Sequence, residues 1–185
     1  MSRRILFIVA VLASAVVSNH AQNFVANPGF ETGDFTGWTL GGDTSYCFVS
    51  TIMPHGGTYS AFLGPVSSDG FLDQTISTVV GISYHVDFWL ANAGFAPNDF
   101  SASFAGVTFY SVVNAPNFGY TDISGNITAA SSSSDLHFEF FNPPACWFLD
   151  DISVNVVPEP PPWAMMAMGS VVLIGVQRLV RRKKA

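Results

Sequence analysis

From Ile82 to Leu90 the chain alternates (Ile82, Tyr84, Val86, Phe88 and Leu90 against Ser83, His85, Asp87 and Trp89). A repeat of two turns one set of side chains to a buried face and the other to solvent, which is the signature of a half-buried β-strand. Leu136, Phe138 and Phe140 alternate in the same way with His137, Glu139 and Phe141, and Phe100, Ala102 and Phe104 alternate with Ser101 and Ser103. Shorter runs at 44–50, 59–63, 70–76, 106–112 and 148–156 are further strand candidates, separated by Gly, Ser, Asn and Pro. Residues 131–134, four serines, read as a hairpin loop. No long repeat of 3.6 appears. Eight or so short strands with turn residues between them predict one all-β domain over residues 22–157, an antiparallel sandwich of the jelly-roll kind.

Charge changes the picture at both ends. All seven Lys and Arg residues lie at the termini, as Arg3, Arg4, Arg178, Arg181, Arg182, Lys183 and Lys184, while residues 5–177 carry all thirteen carboxylates and no cation. Arg3 and Arg4 precede an apolar run, residues 5–17, and a small polar exit at 18–21; this is the layout of a secretory signal, cleaved after Ser18 or Ala21. It implies passage through the Sec translocon and cleavage by signal peptidase. Residues 163–180 form a second apolar stretch, close to the ~20 residues a membrane helix needs. Basic residues follow it, and Lys and Arg beside a span stay on the cytoplasmic side. The acidic middle is therefore expected to be exported, and a domain of its charge offers no electrostatic route to nucleic acid.

The ending Val157-Pro158-Glu159-Pro160, then Trp163-Ala164-Met165-Met166 opening an apolar helix, then Arg181 and Arg182, closely resembles the PEP-CTERM sorting signal of Gram-negative bacteria. The resemblance covers residues 158–185. It implies recognition by an exosortase, transient residence in the inner membrane, and delivery to the cell surface or extracellular matrix. A permanent single-span anchor is the alternative.

The middle resembles the galactose-binding-like jelly rolls found among carbohydrate-binding modules. Asn27-Pro28-Gly29-Phe30-Glu31-Thr32-Gly33 with Trp38 matches that group's opening, residues 55–64 its second motif, and Gln74-Thr75-Ile76 with Gly81 and Tyr84 a third. Trp147-Phe148-Leu149-Asp150-Asp151-Ile152 matches the closing strand. Such modules often hold a structural Ca²⁺ between the opening glutamate and a closing-strand aspartate. The resemblance therefore implies Glu31 and Asp150 as ligands, with Asp151 in reserve. Asp150 also draws notice on its own, because it shares strand parity with Phe148, Ile152 and Val154 and would turn inward. A buried carboxylate needs compensation; with no protein cation at hand, either a bound cation or several backbone N–H donors must supply it.

Cys47 and Cys146 are the only cysteines, and export to an oxidising compartment makes a disulfide between them the expectation. Trp38 and Trp147 are expected to pack inside. Trp89 faces away from the buried set of its strand, either as a platform for a sugar ring or as a residue covered by a loop. His85 and His137 are expected on polar strand faces. Asp87 and Glu139 share those faces, which raises a glycosidase-like carboxylate pair, although no nucleophile motif accompanies them. Two functions stay open, a non-catalytic carbohydrate-binding module partnered with exopolysaccharide, and a structural or adhesive surface protein without sugar specificity. A glycoside-active enzyme is the third and would need that pair to converge.

Overall fold

The computed structural model describes residues 22–158. The expected signal peptide at 1–21, Glu159 and Pro160 of the expected sorting motif, the apolar stretch 163–180 and Arg181 and Arg182 lie outside the described residues; Pro158 is exposed at their end. Ten strands alternate with turns: β1 (Thr39–Gly42), β2 (Cys47–Ser50), β3 (Ser60–Leu63), β4 (Gly70–Ser77), β5 (Ser83–Asn92), β6 (Asp99–Phe104), β7 (Val107–Val113), β8 (Phe118–Thr128), β9 (Ser133–Phe141) and β10 (Trp147–Val156). They form two five-stranded antiparallel sheets. Sheet A has the order β1-β4-β9-β6-β7 and sheet B the order β2-β3-β10-β5-β8. Among the described residues no helix is long and apolar enough to cross a membrane.

The alternation on β5 is obeyed to the residue: Tyr84, Val86, Phe88 and Leu90 are buried, while Ser83, His85, Asp87 and Trp89 are half-buried on the other face. The same rule turns Leu72 and Ile76 of β4, Phe100, Ala102 and Phe104 of β6, and Leu136, Phe138 and Phe140 of β9 into the space between the sheets. Rings meet there at preferred offset and edge-on angles. Phe88 lies edge-on to Phe138 with centroids 5.1 Å apart, and Phe100 lies 5.4 Å from Trp147. Trp147 is fully buried and donates its ring N–H to the Phe141 carbonyl; Trp38 donates to the Asn27 carbonyl. Both tryptophans pack as expected.

Two strands differ from the sequence reading. β1 is four residues of Thr, Leu and two glycines at the edge of sheet A, and β8, the longest at eleven residues, is the edge of sheet B. An edge strand packs against one neighbour and needs little apolar side chain, so the alternation that reveals β5 is absent from Phe118–Thr128. The four serines are not a hairpin loop. Ser133 and Ser134 already belong to β9, and the chain before them crosses from sheet B to sheet A.

Asp87 and Glu139 end up on different outer faces, of sheet B and sheet A respectively, with the core between them. They cannot converge on one bond. Replacing Phe138 with Ala is expected to cost about 3–5 kcal/mol, as for other fully buried rings; urea unfolding should show a lowered midpoint with little change in slope.

Candidate functional site

The first cluster of interest lies at one rim of sheet B. Residues 27–38 fold into a compact turn around Asn27, whose side-chain amide donates to Thr32 Oγ1 at 2.8 Å and to the carbonyls of Asp34 and Thr36. The turn sets Glu31 against the loop before β3, where its Oε1 accepts the backbone N–H groups of Thr58 (2.9 Å) and Tyr59 (3.0 Å). Asp150 is completely buried. Its Oδ2 accepts from the N–H of His55 (2.7 Å) and of Gly56 (3.2 Å), and its Oδ1 from the N–H of Asp151 (2.8 Å). Asp151 reaches His55 Nδ1 with Oδ2 at 2.7 Å.

Asp150 is buried for a different reason from the one its strand parity gave. Trp147 and Leu149 point into the core, so Phe148 and Asp150 point outward from sheet B. The β5–β10 register shifts between Asp150 and Ser153, and Asp151 sits there with φ of 46°. The bulge reverses parity and returns Ile152 and Val154 to the core. Asp150 is then covered from outside by the loop carrying His55 and Gly56. Burial pushes its carboxyl up to about 6; the three N–H donors oppose the shift and the neighbouring Asp151 charge adds to it.

Glu31, Asp150 and Asp151 thus gather at the same turns, and a Cβ at Gly56 or Gly57 would run into Asp151 or Glu31 oxygens at 2.4–2.7 Å. Among the described residues, however, no three His, Cys, Asp or Glu side chains are grouped to hold a metal. A Ca²⁺ shell needs about six to eight oxygens. Here Glu31 Oε1 and both Asp150 oxygens accept backbone N–H groups, the compensation that the sequence offers as the alternative to a bound cation.

Trp89 lies next to this cluster, opposite Asp150 in the register. The His55 ring stacks on it at 3.9 Å and 15°, and Tyr120 closes the edge of the imidazole at 5.1 Å. Tyr120 Oη in turn donates to the Met53 carbonyl at 2.7 Å. The stacked imidazole closes one face of Trp89 to a sugar, so the ring is loop-covered rather than an open platform.

Cys47 and Cys146 are both free thiols. Cys47 and Trp147 register with Leu63 from its two sides, so β3 separates the strands, putting them about 10 Å apart. Cys47 packs against the inner core while Cys146 belongs to the outer cluster with Ala91 and Phe148. Side chains on opposite faces and a strand apart cannot satisfy disulfide geometry. Burial raises both thiols, Cys47 to about 11 and Cys146 to about 12, which keeps them protonated and unreactive.

The outer face of sheet A is open. One register row across it runs Thr39, Asp73, His137, Ser103, Thr108, and the next runs Gly41, Phe71, Glu139, Ser101, Ser111. Phe71 is half-buried and lies flat over Gly41, where a Cβ would meet its ring at 2.3 Å. His137 Nδ1 contacts Asp73 Oδ1 at 2.5 Å beside it. A cleft of about 420 Å³ opens on one side, lined by Thr39, Asp73, Thr75, Asp135 and His137. A second, also about 420 Å³, opens on the other and includes Asp69, Asp99, Ser101, Ser111 and Glu139. Burial raises the Asp99 carboxyl, with the charges of Asp69 and Glu139 adding to it. Hydroxyls and carboxylates flanking an accessible ring are the groups that hold sugar hydroxyls and cover a sugar's apolar face. Alternation along β4 assigns Phe71 only to the polar side, so the sequence does not mark it as a site residue.

No protein-family model and no curated protein matches the chain. Solved structures share its fold. TmCBM61 in complex with β-1,4-galactotriose has a TM-score of 0.61 at 23% identity, covering 74% of this chain and 100% of that one. A xylan-binding domain from carbohydrate-binding module family 22 has a TM-score of 0.56 at 13% identity, covering 75% and 97%. The enzymatically active domain of bacteriophage CBA120 tailspike protein 4 also gives 0.56, at 16% identity, covering 73% of this chain but 21% of that one. These likenesses show a β-sandwich of the kind built by carbohydrate-binding modules.

The raised Asp150 carboxyl fixes the sign of a pH dependence. A carboxyl that holds its proton more firmly folded than unfolded destabilises the fold once ionised, fully above about 6, and not at all below the unfolded value near 3.8. Melting temperature should therefore rise as pH falls from 7 to 5. Asp150→Asn should flatten that rise while lowering stability by about 1–3 kcal/mol, because its amide NH₂ faces backbone donors.

Proposed function

We propose that residues 22–157 form a non-catalytic carbohydrate-binding module that uses the outer face of sheet A. The observation that carries this reading is the half-buried Phe71 ring on a sheet face that also carries two polar clefts. The fold supports it, since TmCBM61 was solved with an oligosaccharide bound. Two clefts on one face favour a ligand of several linked sugars over a single ring.

The module is carried by an exported protein. Residues 1–21 direct it through the Sec translocon to signal peptidase, and residues 158–185 hand it to an exosortase, leaving it at the surface or in the extracellular matrix of a Gram-negative bacterium, with exopolysaccharide as partner. The support is the order of motif, apolar stretch and basic cluster at the carboxyl end, together with a cation-free middle. A structural or adhesive role without sugar specificity is the second reading.

Phe71→Ala separates the two. Removing a central ring contact of this kind costs about 1–2 kcal/mol, or roughly tenfold in affinity. On a panel of immobilised neutral oligosaccharides the wild-type chain should be retained and the variant retained about tenfold more weakly. A wild-type chain that holds none of them leaves the adhesive reading in place. For sorting, removal of residues 158–185 should shift the protein from the surface fraction to the medium or periplasm; an unchanged distribution overturns the exosortase assignment.

A further inference from the structure

The open face of sheet A also has a sign. Asp73 and Asp135 line one cleft, Asp69, Asp99 and Glu139 the other, and no lysine or arginine occurs anywhere in residues 5–177. The single basic side chain facing those carboxylates is His137, and it is already engaged with Asp73. Three carboxylates elsewhere in the domain are satisfied by N–H donors: Asp150 by three, Glu31 by two, and Asp43 by those of Ser45, Val66 and Ser67. Around the clefts the pattern differs. Asp135 takes one hydroxyl, from Thr75 at 2.7 Å. Asp69, Asp99 and Glu139 crowd one another, and no side-chain hydrogen bond of the described residues ends on any of them.

Like charges gathered in a cleft raise the local concentration of counter-charge and repel anions, an effect that salt screens over about 10 Å at 0.1 M. A ligand carrying carboxylates or sulfates would bring more negative charge to a face that has no cation to meet it. A ligand carrying ammonium groups would supply both the missing charge and N–H donors for the free carboxylate oxygens. On the reading of this face as a glycan site, we infer that it ranks its ligands by charge: polysaccharides of amino sugars with free amines first, neutral glycans next, and uronate or sulfated glycans last. The face distributes the five carboxylates over both clefts, so a polymer with repeated amines can meet both at once.

The test uses the full-length chain in mild detergent with three soluble probes of matched length. These are a glucosamine oligomer, its fully N-acetylated counterpart, and a galacturonate oligomer, each titrated at 50 mM and 500 mM NaCl. Two or three exposed ion pairs should favour the free-amine oligomer about tenfold over the acetylated one at low salt. The advantage should shrink at high salt, and the uronate should bind weakest. In Asp99→Asn/Glu139→Gln, checked for an unchanged melting temperature, the ratio of amine to acetylated affinity should collapse toward one and lose its salt dependence. Equal or weaker binding of the amine oligomer, with the acetylated one still held, overturns the charge ranking and leaves the glycan site standing. Uronate binding as tight as neutral binding overturns it too. Retention of none of the three, or of any neutral glycan, removes the site itself and the ranking with it.

Discussion

A fully buried carboxylate such as Asp150 needs compensation, and in residues 22–158 there is no lysine or arginine to supply it. The chain answers with its own backbone. Asp150, Glu31 and Asp43 each collect N–H groups from loops distant in sequence, with Asp150 and His55 separated by 95 residues. Hydrogen bonds to a charged acceptor are among the stronger ones a protein makes. Each therefore ties a loop to a strand end or turn, and the loops close the rims that two flat sheets would leave open. The aromatic core decides that two sheets form, and the N–H-bound carboxylates decide how the segments between strands lie over them.

That division explains why the two outer faces differ. On sheet B the loop before β3 is drawn down by Asp150 and Asp151, and its His55 lands on Trp89. The neighbouring surface is finished by Phe48 stacked on Phe62 at 4.6 Å, with Phe148 edge-on behind it. On sheet A no comparable carboxylate pulls a loop across the strands. Thr39, Phe71, His137 and Glu139 stay accessible, and the clefts form on either side of them.

Much of the sandwich was legible in the sequence because inward strands obey a period of two, as on β5, β6 and β9. What the pattern could not show were β1 and β8, edge strands whose outer neighbours are solvent. Nor could it show Asp150, where a bulge at Asp151 flips the parity from which burial was inferred. The site residues split along the same line. Glu31, Asp150 and Asp151 were brought together, since the turn around Asn27 and the closing strand are local features with strong residue signatures. The cysteine pairing was misread, and the choice at Trp89 stayed open, because their neighbours come from other elements: β3 stands between Cys47 and Cys146, and a loop 34 residues away covers Trp89. Pairing across strands leaves no trace in spacing along the chain.

The ring of Phe71 rests directly on Gly41, whose missing side chain lets it lie down against β1. The height of that ring above the sheet is thus governed by a position on the neighbouring strand. A methyl group there would tilt the ring upward and reshape the ground between the clefts without altering a single polar contact. Gly41 is accordingly the natural dial for an engineer wishing to widen or narrow what this surface admits, and a place where drift in the sequence would retune it silently.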